Sequence, residues 1–149
     1  MKVYQGLLKT KFYHHLNNRR EDMRERMSLS EWWTECGAFV EILPRQVGKT
    51  TAIISLYNEL KSGRIDPRFG KVTEFVKILC YSARVKENLI KRGISSDDVF
   101  VKQEEMVGLD YMNIHLFVDE YMFIDKKIVD FIFDQEWKSL NLISSLKRI

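Results

Sequence analysis

The sequence of 149 residues has only two cysteines, two prolines and three histidines, and it lacks any long apolar run. Cys36 and Cys80 are too few for a disulfide framework and lack the spacing of zinc ligands, so we expect free thiols in a reducing compartment. The longest apolar runs, such as residues 114–118, are far shorter than the roughly 18–20 residues of a membrane-spanning helix. No charged-then-apolar leader opens the chain. These absences predict a cytoplasmic protein without a membrane partner.

Charged residues are abundant, and their two signs nearly balance. The chain has 24 lysines and arginines against 21 aspartates and glutamates, and the net charge of +3 permits a polyanionic partner without requiring one. With 45% hydrophobic residues, the chain has enough apolar material for one globular domain, which excludes the disordered and fibrous classes.

The amino-terminal third has a helical pattern. Apolar residues at helical spacing predict a helix over residues 5–27, with a break near residues 17–18 left open. Ser28 and Ser30 are both suitable N-caps for a second short helix that ends at Gly37. We therefore treat residues 1–37 as an N-terminal helical extension and residues 38–149 as the core.

From residue 38 onward, strand-like and helix-like segments alternate. Strands are predicted over residues 38–43, 73–81 and 114–118, with an edge strand at 99–102, and helices over residues 48–60, 83–91 and 126–137. Residues 64–71 are predicted as a loop, and the last twelve residues fit a helix or a strand. This alternation predicts an α/β fold with a parallel sheet flanked by helices.

A candidate phosphate-binding loop lies between the first predicted strand and helix, where residues 43–50 read LPRQVGKT. Gly48 would let the backbone approach a phosphate, Lys49 would reach the β and γ oxygens, and the Thr50 hydroxyl would hold Mg²⁺. Leu43 replaces the first glycine of the usual pattern. A Gly-Lys-Thr tripeptide is common by chance, so its position between strand and helix carries the prediction.

Two adjacent carboxylates follow the apolar run at residues 114–118. Parallel strands deliver side chains to their carboxyl ends, where ligands bind. Asp119 would hold the water shell of Mg²⁺ opposite Thr50, and Glu120 would act as general base on the attacking water. The alternative is an ordinary strand end with two solvated acids, and the presence of Lys49 upstream favours the nucleotide site.

Together these motifs resemble the ATPase domain of the large subunit of viral terminases, the DNA-packaging motors of tailed phages. Residues 45–51 (RQVGKTT) are similar to the family's phosphate loop, which commonly lacks the first glycine. Residues 119–124 (DEYMFI) are similar to its Asp-Glu-x-x-Phe-Ile segment, and residues 78–84 (ILCYSAR) resemble its second strand region. The resemblance spans residues 38–149 and implies a P-loop NTPase fold of the RecA/ASCE-like type.

The resemblance implies Mg²⁺-dependent hydrolysis of ATP, coupled to translocation of double-stranded DNA, in the cytoplasm of an infected host cell. Catalysis would involve Glu120, Arg45 and Lys49, with Thr50 and Asp119 as metal ligands. The implied nucleotide-binding residues are Gln5, Arg45, Gln46, Val47, Gly48, Lys49, Thr50 and Thr51.

Two of these positions have open alternatives. The family places at Arg45 an arginine thought to act on the γ-phosphate in cis, whereas Arg45 could instead cap the loop or pair with Glu41. The family contacts adenine through an upstream Gln that often follows Tyr or Phe, and Tyr4-Gln5 offers such a dipeptide. Otherwise Gln5 is a solvated helix residue.

The chain departs from the family at its end. The family's sheet has a strand that ends in a Ser/Thr-rich coupling motif, between the phosphate-loop strand and the strand before Asp119, and a nuclease domain follows. Residues 144–149 (SSLKRI) stop where that strand should start. We therefore expect an incomplete sheet, unless residues 142–149 form a stub or another chain supplies the strand. Expected partners are motor or portal subunits, or a chain carrying the missing strand and nuclease.

Two other functions stay open: a helicase or other P-loop ATPase, and a non-catalytic nucleotide-binding regulator or partner subunit of such a motor.

Outside the site, Trp32, Trp33 and Trp137 are predicted as core or interface residues, with stacking on single-stranded nucleic acid as the alternative. The basic groups at residues 9–11, 19–20 and 84–91 are predicted as solvated surface, with contacts to DNA phosphates as the alternative.

Overall fold

The computed structural model describes residues 2–43, 48–66, 70–72 and 74–145. The helices are α1 (Lys2–Asn18), α2 (Leu29–Trp32), α3 (Lys49–Ser62), α4 (Ala83–Lys91) and α5 (Lys126–Phe133). The strands are β1 (Phe39–Leu43), β2 (Arg64–Asp66), β3 (Gly70–Val72), β4 (Phe75–Leu79), β5 (Val99–Phe100), β6 (Ile114–Asp119) and β7 (Ser139–Ser145). Five strands form one parallel sheet in the order β1-β7-β6-β4-β5. The α/β class and the edge position of the strand near residue 99 are confirmed.

The expectation of an incomplete sheet was wrong, and of the two alternatives for the chain end the strand is confirmed. β7 is a full strand, and it lies between β1 and β6, pairing with both in parallel register. The expectation of an incomplete sheet fails because the strand starts at Ser139, five residues before the point where the sequence suggested a start. Six of its seven residues are buried, which is the environment of a central strand in a parallel sheet.

Polar side chains of β7 bond to β6 instead of water. Asn141 Nδ2 donates to the Leu116 carbonyl oxygen at 3.0 Å, and Ser139 Oγ lies 2.6 Å from Nδ1 of His115. Burial lowers the pKa of His115 to about 4, so the ring is neutral near pH 7 and shares a neutral hydrogen bond with the serine. These bonds hold β7 in register beside the strand that ends in Asp119.

The break left open near residues 17–18 is confirmed, and two other predictions were wrong. Helix α1 ends at Asn18. The Asn18 side-chain amide donates to the His14 carbonyl oxygen at 2.7 Å and so competes with the backbone hydrogen bonds of the helix. A 3₁₀ segment, Glu21–Arg26, follows. Helix α5 ends at Phe133, short of the predicted residue 137. The predicted loop at residues 64–71 contains an antiparallel pair, β2 and β3, whose three-residue strands are too short to show a period of two.

The amino-terminal residues contribute to the hydrophobic core on both faces of the sheet. Leu8 and Phe12 of α1 pack with α3 on one face. Trp32, Trp33 and Trp137 pack together on the opposite face, with exposed fractions of 0%, 1% and 1%. The core prediction for the three tryptophans is confirmed, and their burial rules out the stacking alternative. Among the described residues, no helix is long and apolar enough to cross a membrane.

Candidate functional site

Helix α3 begins at Lys49, directly after a glycine in a left-handed conformation. Gly48 has φ 81° and ψ 39°, which a residue with a Cβ atom adopts only with strain. No side chain caps this helix end, so the first-turn amides around Thr50 carry the positive end of the helix dipole without a capping oxygen. Arg45, Gln46 and Val47 lie outside the described residues, as does the side chain of Gln5.

The side chains of the two predicted motifs meet at the carboxyl ends of the strands. The Lys49 ammonium contacts Asp119 Oδ1 and lies 3.3 Å from Glu120 Oε1. The three side chains are only 11%, 4% and 14% exposed, respectively. Water therefore screens these charges weakly, and the electrostatic coupling among them is strong. The single Lys49 ammonium forms ion pairs with both carboxylates.

The ionised form of Asp119 is disfavoured in this environment. Burial raises the pKa of the Asp119 carboxyl, and the neighbouring Glu120 carboxylate adds to the rise, while Lys49 opposes it without cancelling it. Keeping the Asp119 carboxylate ionised in the folded state therefore lowers the free energy of unfolding at neutral pH. Such costs are typical of groups kept for function rather than for stability.

We therefore expect Asp119→Asn to stabilise the nucleotide-free protein at neutral pH. An amide has no charge to desolvate, and Lys49 keeps Glu120 as its partner. The expected gain is about 0.5–2 kcal/mol in the free energy of unfolding, measured as a higher Tm by scanning calorimetry.

The pH dependence of this gain follows from the direction in which the pKa of Asp119 is shifted. A carboxyl whose pKa is higher in the folded than in the unfolded state is protonated in both states below about pH 4, so its cost appears only as the pH rises. The Tm difference between Asp119→Asn and the wild type should thus be larger at about pH 7 than at about pH 4. Asp130→Asn, which changes an exposed carboxylate on α5, should give no such difference. A lower Tm for Asp119→Asn at neutral pH would contradict the argument.

Glu120 has an unusual backbone conformation that β7 supports. Its φ of 52° is the one positive value at a non-glycine position in the described ranges, and such a conformation costs about 1–3 kcal/mol. The Glu120 amide donates to the Ile143 carbonyl oxygen at 2.8 Å. Its carboxylate accepts bonds from Ser144 Oγ at 3.2 Å and from the Ser145 amide at 3.1 Å. The end of β7 therefore holds the carboxylate in place.

A cavity of about 360 Å³ opens in front of these groups. Lys49, Thr50, Asp119 and Glu120 line one side of it. The other side comes from the segment after β4, from α4 and from the residue after α4. Its polar lining residues include Tyr81, Asn88, Lys91 and Arg92. A larger cavity of about 610 Å³, between α1 and β1, has no comparable cluster of site residues. The smaller cavity is the better candidate because predicted site residues converge on it.

The donor set fits Mg²⁺ held together with a nucleotide. Among the residues that the structure describes, no group of three or more His, Cys, Asp or Glu side chains could hold a metal ion. Thr50 and Asp119 line the same cavity and offer two oxygen donors. Protein-bound Mg²⁺ usually has one or two protein carboxylates and takes its other oxygens from water and phosphate. The ion would compete with Lys49 for Asp119.

Several predicted surface cations are paired with carboxylates. Lys9 lies 2.6 Å from Glu59, and Lys11 lies 2.9 Å from Glu41. Glu41 is the residue considered above as an alternative partner for Arg45. Exposed pairs of this kind contribute little stability, and they reduce the positive charge available to DNA at this surface.

No protein-family model matches this chain, and neither a curated protein nor a solved structure does. The likeness to terminases therefore rests on the motifs themselves.

Proposed function

We propose that this chain is an ATP-binding and ATP-hydrolysing module resembling the viral DNA-packaging terminase motor, and that it couples hydrolysis to translocation of double-stranded DNA within a larger assembly. One observation carries the proposal. Lys49, the first residue of the helix after β1, lies against Asp119 and Glu120 at the end of β6. A cation and two carboxylates in this arrangement suit phosphoryl transfer.

Each of these residues has a role in the proposed reaction. Gly48 and the first-turn amides of α3 would bind phosphate oxygens, and the Lys49 ammonium would exchange its carboxylate partners for the nucleotide. Thr50 and Asp119 would hold Mg²⁺, which when bound neutralises charge on the phosphates. Glu120 would orient a water molecule and take its proton.

Ser144 and Ser145 would then connect the reaction to the sheet. They bond to the Glu120 carboxylate from the end of β7. This is where the terminase resemblance puts a Ser/Thr-rich coupling motif. A change in the charge or contacts of Glu120 during the reaction would alter these bonds, and β7 could transmit it to a motor or portal partner.

A non-catalytic nucleotide-binding regulator is the second candidate. It is favoured by the ion pair between Lys49 and Glu120, because a carboxylate that is paired with an ammonium is a weaker base for the attacking water. A regulator of this kind would bind ATP through Lys49 without turning it over.

Phosphate release from the full chain with ATP and Mg²⁺, with and without double-stranded DNA, tests the proposal. We expect turnover that DNA increases and that Lys49→Ala abolishes, because the cation for the phosphates is gone. Lys127→Ala, which removes an exposed lysine on α5, should retain it. Lys49-dependent ATP binding without turnover would favour the regulator, and absence of ATP binding would contradict both candidates.

A further inference from the structure

Arg92 reaches the candidate site from an element that neither motif includes. It follows the last residue of α4, and its backbone amide bonds to the carbonyl oxygens of Asn88 and Leu89 at 3.2 and 3.1 Å. Leu89 is buried in the core, so this end of the helix is anchored. The Arg92 side chain crosses to α3, where Nη2 donates to Thr51 Oγ1 at 2.6 Å.

The charge of Arg92 is not compensated by a carboxylate within the described part of the chain. Its described side-chain partner is a neutral hydroxyl. Lys49, by contrast, is shared between Asp119 and Glu120. An anion entering the cavity must displace carboxylates to reach Lys49, whereas the guanidinium has donors left after its single bond to Thr51.

The position of the guanidinium matches the expected position of the phosphates. Arg92 lines the same cavity as Lys49 and Thr50. Thr51, to which it bonds, lies in the first turn of α3, next to Thr50. A guanidinium presents a planar set of donors that suits two oxygens of one phosphate, which an ammonium cannot match.

We propose that Arg92 is a second phosphate-contacting residue of this site, binding the β- and γ-phosphate end of the nucleotide together with Lys49. This inference rests on the proposed function and adds a specificity residue to it. The bond to Thr51 holds the guanidinium beside the first turn of α3 before the nucleotide binds. Less conformational entropy is then lost on binding.

Calorimetric titration of the full chain with ATP and with AMP, both with Mg²⁺, tests the inference. Arg92→Ala should weaken ATP binding about tenfold, which is about 1.4 kcal/mol, and leave AMP binding within about twofold. Arg92→Lys should recover part of the loss. Arg84→Ala is the matched control, because Arg84 is an exposed arginine near the start of the same helix and is absent from the cavity lining; it should bind ATP as the wild type does.

The possible outcomes separate the inference from the proposed function. If Arg92→Ala binds ATP normally while Lys49→Ala does not, the inference is wrong and the proposed function stands. An equal loss for ATP and AMP, accompanied by a lower Tm, would show that Arg92 only ties α4 to α3, which also overturns the inference. A wild-type protein that binds no ATP would contradict both.

Discussion

Glu120→Gln should lower the rate of ATP turnover by about 100-fold or more, because an amide cannot accept the proton of the attacking water. Glutamine has the size of glutamate and keeps one oxygen for the Ser145 amide, which bonds to the Glu120 carboxylate at 3.1 Å. The loss should therefore be a loss of chemistry at an intact site. Phosphate release under saturating ATP measures it.

ATP binding should survive the same substitution. Lys49 lies 3.3 Å from Glu120 Oε1 and contacts Asp119 as well, so removing one negative charge leaves the ammonium easier for phosphates to capture. We expect an ATP affinity equal to that of the wild type or tighter. Glu87→Gln, which changes an exposed residue of α4, should alter neither quantity. Full turnover by Glu120→Gln would remove this residue from the proposed mechanism.

The elements that could be predicted from the sequence are those with local signals. Gly48 and Gly63 flank α3, and Ser82 caps α4 by accepting a bond from the Val85 amide. Such signals act within a few residues, so they are visible in the sequence. β7 gave no such signal, because Ser139 and Asn141 interrupt its apolar pattern. Their bonds to β6 explain why they can be buried, and those bonds exist only in the assembled sheet.

The same distinction applies to the candidate site. The meeting of Lys49 with Asp119 and Glu120 could be predicted because each motif follows or ends a parallel strand, and carboxyl ends share one edge of the sheet. The contacts of Ser144 with Glu120 and of Arg92 with Thr51 depend on strand order and on the path of α4. The spacing of residues along the sequence does not reveal the strand order or the path of α4.

Gly37→Ala should destabilise the protein by about 2–3 kcal/mol, because a Cβ atom there has no room. It would lie within 2.6 Å of three carbons of the Trp32 ring. That ring cannot easily move, since its Nε1 donates to the Arg20 carbonyl oxygen at 2.9 Å. Its ring centroid also lies 4.7 Å from the ring centroid of Trp33. Thermal unfolding should show a Tm lower by roughly 5–10 °C.

Gly6→Ala is the matched control for that substitution. Gly6 lies within α1, and a Cβ atom there meets nothing within 4 Å. Alanine favours the helix over glycine by about 0.5–1 kcal/mol, so the same chemical change should raise the Tm. If Gly37→Ala left the Tm unchanged, the packing of Trp32 against residue 37 would be wrong. Trp32 belongs to the same buried cluster as Leu116 and Val118 of β6. We therefore expect Gly37→Ala to lower the Tm of one unfolding transition that includes the sheet.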